Sequence, residues 1–329
     1  HRYSGPARLR FDQRSARLVN SHWSEAHNPG SRTDGVLIYG HRGARGLWPE
    51  NTLESFQALA RAGFTAVEID VQNASGVPVV VHDPQVPMAL ARDSAGVFLL
   101  QPGPAIRDLT VPELKVYDVG RLNPGTEYAS RYPDQEPIDG ARIPTFAEFC
   151  TWAQGVPDML LNVEIKSFAD RDDLGDPPER LAEAVLAVAS RAGLLERLIL
   201  SSFDWRVLHA AARLEPRVVR GYLTYLDRPN APMQANVIDG SAWMDGLDRA
   251  QTGGSLPRLI AQAGGQVWCP YHADLSPGDL ADAKRQGLVV NVWTVNDPDE
   301  ARRLAAMGVD GIITRADVFA NLYQIFPGC

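Results

Sequence analysis

Eight short apolar runs, separated by segments with helical signatures, constrain the fold of this chain more than any other feature. They read GVLIYGH (35–41), AVEIDVQ (66–72), MLLNVEIK (159–166), LILSSF (198–203), VVRGYLTY (218–225), QVWCPYH (266–272), VVNVWTV (289–295) and GIIT (311–314). Most are rich in β-branched residues and apolar on both alternating faces, as a parallel sheet covered by helices requires. Between them, NTLESFQALARAG (51–63) offers Asn51 as a cap, Glu54 three residues on and Gly63 as a stop. ERLAEAVLAVASRAG (179–193) places Leu181, Val185, Val188 and Ala192 on one stripe, and DWRVLHAAARLEP (204–216) starts at Asp204 and stops at Pro216. SPGDLADAKRQG (276–287), DPDEARRLAAMG (297–308) and DVFANLYQIF (317–326) follow the same logic. A strand–helix unit used eight times predicts an α/β fold, a TIM (β/α)8 barrel spanning residues 35–326.

Two stretches break the rhythm. Residues 83–143, rich in Pro, Gly and Asp, are too long for one connection and predict a small insertion after the second strand. Residues 226–251 form a shorter excursion, and residues 1–34 read as a polar N-terminal extension. The net charge of −8, with Arg and Lys scattered, gives no support for nucleic-acid or anionic-membrane binding. No run of ~18 apolar residues predicts a transmembrane segment. Cys150, Cys269 and Cys329 match no metal-site spacing, and the first two read as small buried hydrophobes. A chain starting at His1 with a polar extension fits a trimmed exported protein, periplasmic or secreted, slightly better than a cytoplasmic one.

Polar residues stand out at the carboxyl ends of several strands. His41 and Arg42 close the first, Glu68 and Asp70 the second, Glu164 and Lys166 the third. In a barrel these ends meet at one mouth, where catalysis occurs. Residues two apart on a strand share a face, so Glu68 and Asp70 point together, as do Glu164 and Lys166. Three carboxylates converging there repel one another unless a cation sits between them, and all-oxygen donors favour Mg²⁺ or Ca²⁺ over zinc. The simpler alternative is a set of buried salt bridges to Arg42 and Lys166. VPVVVHD (77–83) follows a turn signal, ASG, and so predicts a hairpin that returns His82 to the same acids. Two histidines flanking an acidic cluster suit phosphate chemistry, one taking a proton and one giving it, with cations stabilising the phosphoryl oxygens. His272 ends the sixth strand and is a binding candidate, whereas His1, His22, His27 and His209 have no expected role.

HRGARGLWPENTLESFQALARAGFTAVEIDVQ, VPVVVHD, VEIK, SSFD and VNVWTVNDPDEARRLAAMGVDGIIT, in this order, resemble the glycerophosphodiester phosphodiesterase family over about residues 36–323. The resemblance implies a metal-dependent hydrolysis of glycerophosphodiesters to sn-glycerol 3-phosphate and an alcohol. By position it makes Glu68, Asp70 and Glu164 metal ligands and His41 and His82 the acid/base pair. Arg42 and Lys166 become phosphate contacts, Glu50 a neighbour of the metal site, and Phe203 and Trp293 walls of the substrate pocket. It implies attack by the substrate's own 2-hydroxyl, a cyclic phosphate and its opening by water; His41 is assigned as base and His82 as acid, although the sequence does not fix that order. The chain departs from the family in reading ITRAD, with Arg315, after the last strand, and in the run that follows His82. Two other readings compete: a related barrel phosphodiesterase acting on phospholipids or lysophospholipids, and a non-catalytic binding barrel, which would ordinarily have lost one of these acids or histidines.

Overall fold

The computed structural model describes residues 32–33 and 36–316. Ten strands form one sheet: β1 (Arg32–Thr33), β2 (Val36–His41), β3 (Ala66–Ala74), β4 (Val77–Val80), β5 (Leu160–Ile165), β6 (Leu198–Ser202), β7 (Val219–Thr224), β8 (Val267–Pro270), β9 (Val289–Val292) and β10 (Gly311–Thr314). β1 and β4 attach antiparallel to β2 and β3. The other eight are parallel, and β2 pairs with both β10 and β3, so they close into a barrel. All eight expected strands are present, and the fold is the TIM barrel that their pattern predicts.

The outer ring is α1 (Leu53–Arg61), α4 (Phe146–Gln154), α5 (Pro178–Arg191), α6 (Trp205–Leu214), α7 (Leu256–Gln262), α8 (Pro277–Arg285) and α9 (Pro298–Met307); α2 (Val111–Leu114) and α3 (Glu127–Ser130) belong to the insertion. The helix expected at 317–326 lies outside the described residues, as do His1, His22, His27 and Cys329. One expectation is corrected. Asn51 does not cap α1; Thr52 does, its hydroxyl accepting from the Ser55 N–H at 3.2 Å. Asn51 adopts a positive φ of 53° and turns its amide toward the barrel mouth instead.

The two-residue period of a strand sorts the core. On β2, Val36 and Ile38 pack outward against the helices, while Leu37 and Tyr39 face the lumen. On β3, Val67, Ile69 and Val71 pack outward and Ala66 fills the lumen floor. Leu161, Val163 and Ile165 do the same outward task on β5, with Leu160 inside. His41, Glu68, Asp70, Asn162 and Glu164 therefore continue the lumen rows toward the mouth. Apolar at the floor and polar at the top, the lumen explains why acids occur within runs that are otherwise apolar.

The hairpin β3–β4 turns through Ser75 and Gly76, both at positive φ, and continues into the insertion. The insertion has its own apolar cluster, in which Val79 and Val81 of the hairpin meet Val86, Leu90, Ile106, Leu114 and Ile143. It then returns to the barrel. The Glu136 N–H donates to the Leu47 carbonyl at 2.8 Å, and Arg315 lies over the Tyr132 ring and donates to the Arg131 carbonyl at 3.3 Å. Arg315 thus holds the insertion. The 226–251 excursion is tied down by Asn236, which accepts from the Tyr225 N–H and donates to the carbonyls of Phe203 and Leu223. No helix among the described residues is long and apolar enough to cross a membrane.

Candidate active site

Strand register assembles the mouth. His41 stands beside Glu68 across β2–β3, Glu68 beside Asn162 and Asp70 beside Glu164 across β3–β5. The loop after β2 then bends sharply. Gly43 has a φ of +76°, and a Cβ there would collide with Ser55 and Phe56 of α1, so only glycine lets the loop lie this close to the helix. Arg42 is itself left-handed, with φ 54°, an uncommon conformation for a long side chain. Its N–H donates to Glu68 Oε2 at 3.1 Å and its Nη1 to Glu50 Oε2 at 2.9 Å, while Nε lies 3.3 Å from Asp70 Oδ2. Those three contacts offset the cost of the backbone conformation.

Glu68, Asp70 and Glu164 are all buried, and each offers an oxygen within 4.8 Å of the others. Lys166 donates to Glu164 at 2.8 Å and approaches Asp70 to 3.8 Å, and Asn51 donates to Asp70 at 3.0 Å. The salt-bridge alternative is therefore present, but it does not exhaust the acids. Glu68 Oε1 and Asp70 Oδ1 are buried without a hydrogen-bond donor. Two orphaned carboxylate oxygens in one three-acid cluster, with no His or Cys among the donors, fit a hard divalent cation.

The electrostatics follow from this crowding. Burial pushes Glu68 well above the usual carboxylate range, and the neighbouring Asp70 and Glu164 push it further. Burial also raises Glu164, with Lys166 opposing and Asp70 adding to the rise. Burial alone would raise Asp70 too, but His82, Arg42, Lys166 and the Asn51 amide outweigh it and bring it down to about 2. Of these, the fixed charges of Arg42 and Lys166 dominate at neutral pH, because His82 is itself held neutral. Burial and then Arg42 and Lys166 lower His82; burial and then Arg45 and Arg42 lower His41. His41 Nε2 lies 3.7 Å from Glu68, and His41 Nδ1 is buried without a partner. His82 keeps 32% of its side chain open toward the mouth and places Nδ1 2.7 Å from Asp83 Oδ1. Where Nδ1 donates to that carboxylate, Nε2 is the free nitrogen.

These groups border a cavity of about 130 Å³. His41, His82, Arg42, Lys166, Glu68 and Glu164 line one side; Phe203, Leu223, Met233 and Trp293 line the other. The Phe203 and Trp293 rings meet edge to face at 5.2 Å, and Lys166 Nζ lies 5.9 Å from the centre of the Phe203 ring. Asp70 is buried behind the lining, and Glu50 stands behind Arg42. Every residue that the family resemblance points to is thus brought to one mouth. His272 is not: it pairs with Glu300 at 3.0 Å, away from the cavity. His209 is also occupied elsewhere, between Asp245 and the Tyr222 hydroxyl.

Six participants escaped sequence reading. Asn51 and Asp83 sit inside the quoted motifs, and each contacts a site residue. Arg45 follows Arg42 by three residues and lines the cavity, as do Asn162 and Ser201, hydrogen-bonded to each other at 2.7 Å. Tyr128 comes from the insertion, and its hydroxyl donates to Glu50 Oε1. Nothing in its irregular surroundings signals that contact.

A closed parallel barrel with paired histidines and clustered acids at its carboxyl-end mouth is the architecture to which comparison with known proteins also leads. Residues 41–316 match the glycerophosphoryl diester phosphodiesterase family, and the chain belongs to it. It is similar to a glycerophosphodiester phosphodiesterase of Caldanaerobacter subterraneus subsp. tengcongensis, 27% identical over 280 residues, which cover 85% of this chain and 93% of that one. A protein of Silicibacter pomeroyi DSS-3, whose crystal structure is described as that of a candidate glycerophosphoryl diester phosphodiesterase, is 35% identical with a TM-score of 0.77, over 92% of this chain and 98% of that one. An Oleispira antarctica phosphodiesterase, solved with its product sn-glycerol-3-phosphate, shares the fold: TM-score 0.62, 23% identity, 87% and 96% of the two chains.

Proposed function

We propose that this protein hydrolyses glycerophosphodiesters to sn-glycerol 3-phosphate and an alcohol. The observation that carries the reading is the convergence, on one cavity, of two histidines and a buried three-acid cluster with unpartnered oxygens. The family membership and the activity named for the Caldanaerobacter relative support it.

Glu68, Asp70 and Glu164 would hold a divalent cation, Mg²⁺ or Ca²⁺. When bound, that ion supplies positive charge to the phosphoryl oxygens as negative charge builds on them. His41, neutral and with no hydrogen-bond partner for Nδ1, takes the proton from the substrate's 2-hydroxyl as that oxygen attacks phosphorus. His82, taking a proton from solvent at Nε2 as the anionic diester binds beside it, gives that proton to the departing alcohol oxygen, and Asp83 at Nδ1 steadies the imidazolium. The five-membered cyclic phosphate that results is then opened by water with the two roles reversed. Arg42 and Lys166 hold the acids in place, keep Asp70 ionised and face the phosphoryl group. Phe203, Leu223, Met233 and Trp293 give the organic part of the substrate an apolar wall.

Turnover of glycerophosphocholine and of lysophosphatidylcholine, measured side by side, tests the reading. Activity on the water-soluble diester is expected, with His41→Ala and His82→Ala each slower by about 10²–10⁴-fold. Activity confined to the lysolipid would replace glycerophosphodiesters with lipids as the substrate. Wild-type turnover in both His41→Ala and Glu68→Ala would remove the site assignment altogether.

A further inference from the structure

The three cations at the mouth are not equivalent. Arg42 gives Nη1 to Glu50 and approaches Asp70, and Lys166 gives Nζ to Glu164. Both are counter-ions to protein carboxylates. Arg45 lines the same cavity but pairs with no carboxylate among the described residues. Its Nη1 donates to the neutral Tyr128 hydroxyl at 3.1 Å, its guanidinium lies over the Tyr132 ring at 5.0 Å, and its Nε is buried without an acceptor.

A guanidinium group in a cavity wall, with no counter-ion and its Nε unfilled, is costly unless an anion completes it. The chain nonetheless fixes Arg45 from both sides. The Arg45 N–H donates to the His41 carbonyl at 3.2 Å, and Gln135 Nε2 of the insertion donates to the Arg45 carbonyl at 2.7 Å. Tyr128 and Tyr132, also of the insertion, hold the guanidinium itself.

Charge counting points the same way. With Asp83 balanced by the imidazolium that His82 becomes when it acts as acid, Glu50, Glu68, Asp70 and Glu164 outnumber Arg42, Arg45 and Lys166 by one. A divalent cation on the acid cluster turns that deficit into one excess positive charge, the complement of the single negative charge of a phosphodiester. Arg45 is the member of that count which no protein acid claims. We propose that Arg45 binds a non-bridging phosphoryl oxygen of the substrate, held for that purpose by the insertion, whereas Arg42 and Lys166 chiefly organise the acids. The proposal rests on the phosphodiesterase reading above and adds a substrate contact to it.

Arg45→Met and Arg45→Lys test it in the cation-loaded protein. Affinity for sn-glycerol 3-phosphate is measured by calorimetry. Values of kcat/KM are measured for glycerophosphoglycerol, whose alcohol is neutral, and for glycerophosphoserine, whose alcohol carries a carboxylate. Arg45→Met is expected to weaken product binding and to lower kcat/KM for both diesters by about 10–100-fold, the loss of one charge-assisted contact. Arg45→Lys is expected to recover part of each. Product affinity within twofold of wild type in Arg45→Met overturns the proposal. A loss confined to the serine diester also overturns it, because Arg45 would then serve the alcohol. If the wild type turned over neither diester while Arg45→Met still lost affinity for sn-glycerol 3-phosphate, the substrate reading would fail and the phosphate contact would stand.

Discussion

Two clusters of arginines and carboxylates, built from the same kinds of side chain, do opposite things in this protein. In the insertion, Arg92 donates to Asp118 and Asp139, and Arg121 grips Asp139 with two hydrogen bonds of 2.9 Å. The N–H groups of Gly120 and Gly140 complete Asp118, so every carboxylate oxygen there has a donor. At the barrel mouth, Arg42 and Lys166 leave Glu68 Oε1 and Asp70 Oδ1 without one. The proton affinities diverge accordingly. Burial is opposed at Asp118 by the Gly120 and Gly140 N–H groups and by Arg92, which win and lower it; Arg121 brings Asp139 down to about 2. Glu68 and Glu164 go up. A saturated cluster fixes a loop, while an unsaturated buried one is shaped for something the chain itself does not supply.

The largest break in that comparison comes from the mouth. Glu68→Gln and Asp70→Asn keep side-chain volume and remove one charge each. Turnover is expected to fall by about 10²–10³-fold or more. The cation-free thermal midpoint of Glu68→Gln should hold or rise, because that change relieves crowding of buried like charge, whereas Asp70→Asn, which takes a favoured charge from between Arg42 and Lys166, should gain nothing. A midpoint several degrees lower, with activity intact, would make the mouth acids a structural ion-pair network like that of the insertion.

Cation linkage sharpens the contrast next. A ligand that binds only the folded state at 100 times its Kd stabilises by about 2.7 kcal/mol. Adding Mg²⁺ or Ca²⁺ to protein stripped with a chelator should raise the wild-type thermal midpoint and leave Glu68→Gln unmoved. Equal shifts in the two proteins would place the binding elsewhere.

The same contrast explains what could be read from sequence. A strand repeats every two residues, so AVEIDVQ and MLLNVEIK already declare that Glu68, Asp70 and Glu164 share the lumen with Ala66 and Leu160. Eight such runs with helices between them leave few arrangements besides a closed barrel. His41 and His82 were legible because a strand end and a hairpin return them to the same rim. Asn51 was misread as a cap because Asn and Thr both suit that position, and only the positive φ of Asn51, with its bond to Asp70, decides between them. Tyr128 and the ionic cluster at Arg92 had no periodicity to betray them. Contacts across 78 residues in an irregular segment depend on tertiary packing alone.

A smaller effect is expected in the insertion. Asp118→Asn keeps the shape but weakens the bond to Arg92 and the two backbone donations. The loss should be about 1 kcal/mol, or roughly 2 °C in the thermal midpoint, with kcat/KM unchanged within about twofold. A tenfold drop in kcat/KM would mean that the saturated cluster reaches the site through the Tyr128–Arg45 contacts and is not merely a loop clamp.

The gentlest test is acid. Asp118 and Asp139 both have folded-state proton affinities below the unfolded carboxylate value of about 3.9. A depressed pKa adds stability that is fully present above the unfolded value and disappears as pH falls through the folded one, which for Asp139 is about 2. The insertion should therefore loosen progressively between about pH 4 and pH 2. Glu68 and Glu164 shift the other way, so in cation-free protein protonation relieves the mouth at higher pH, before the insertion begins to loosen. Pepsin, active throughout that window, should cut first within residues 83–143 and should do so sooner in Asp118→Asn than in wild type. First cuts in the barrel wall would show that the orphaned acids, rather than the saturated ones, set the acid limit of this fold.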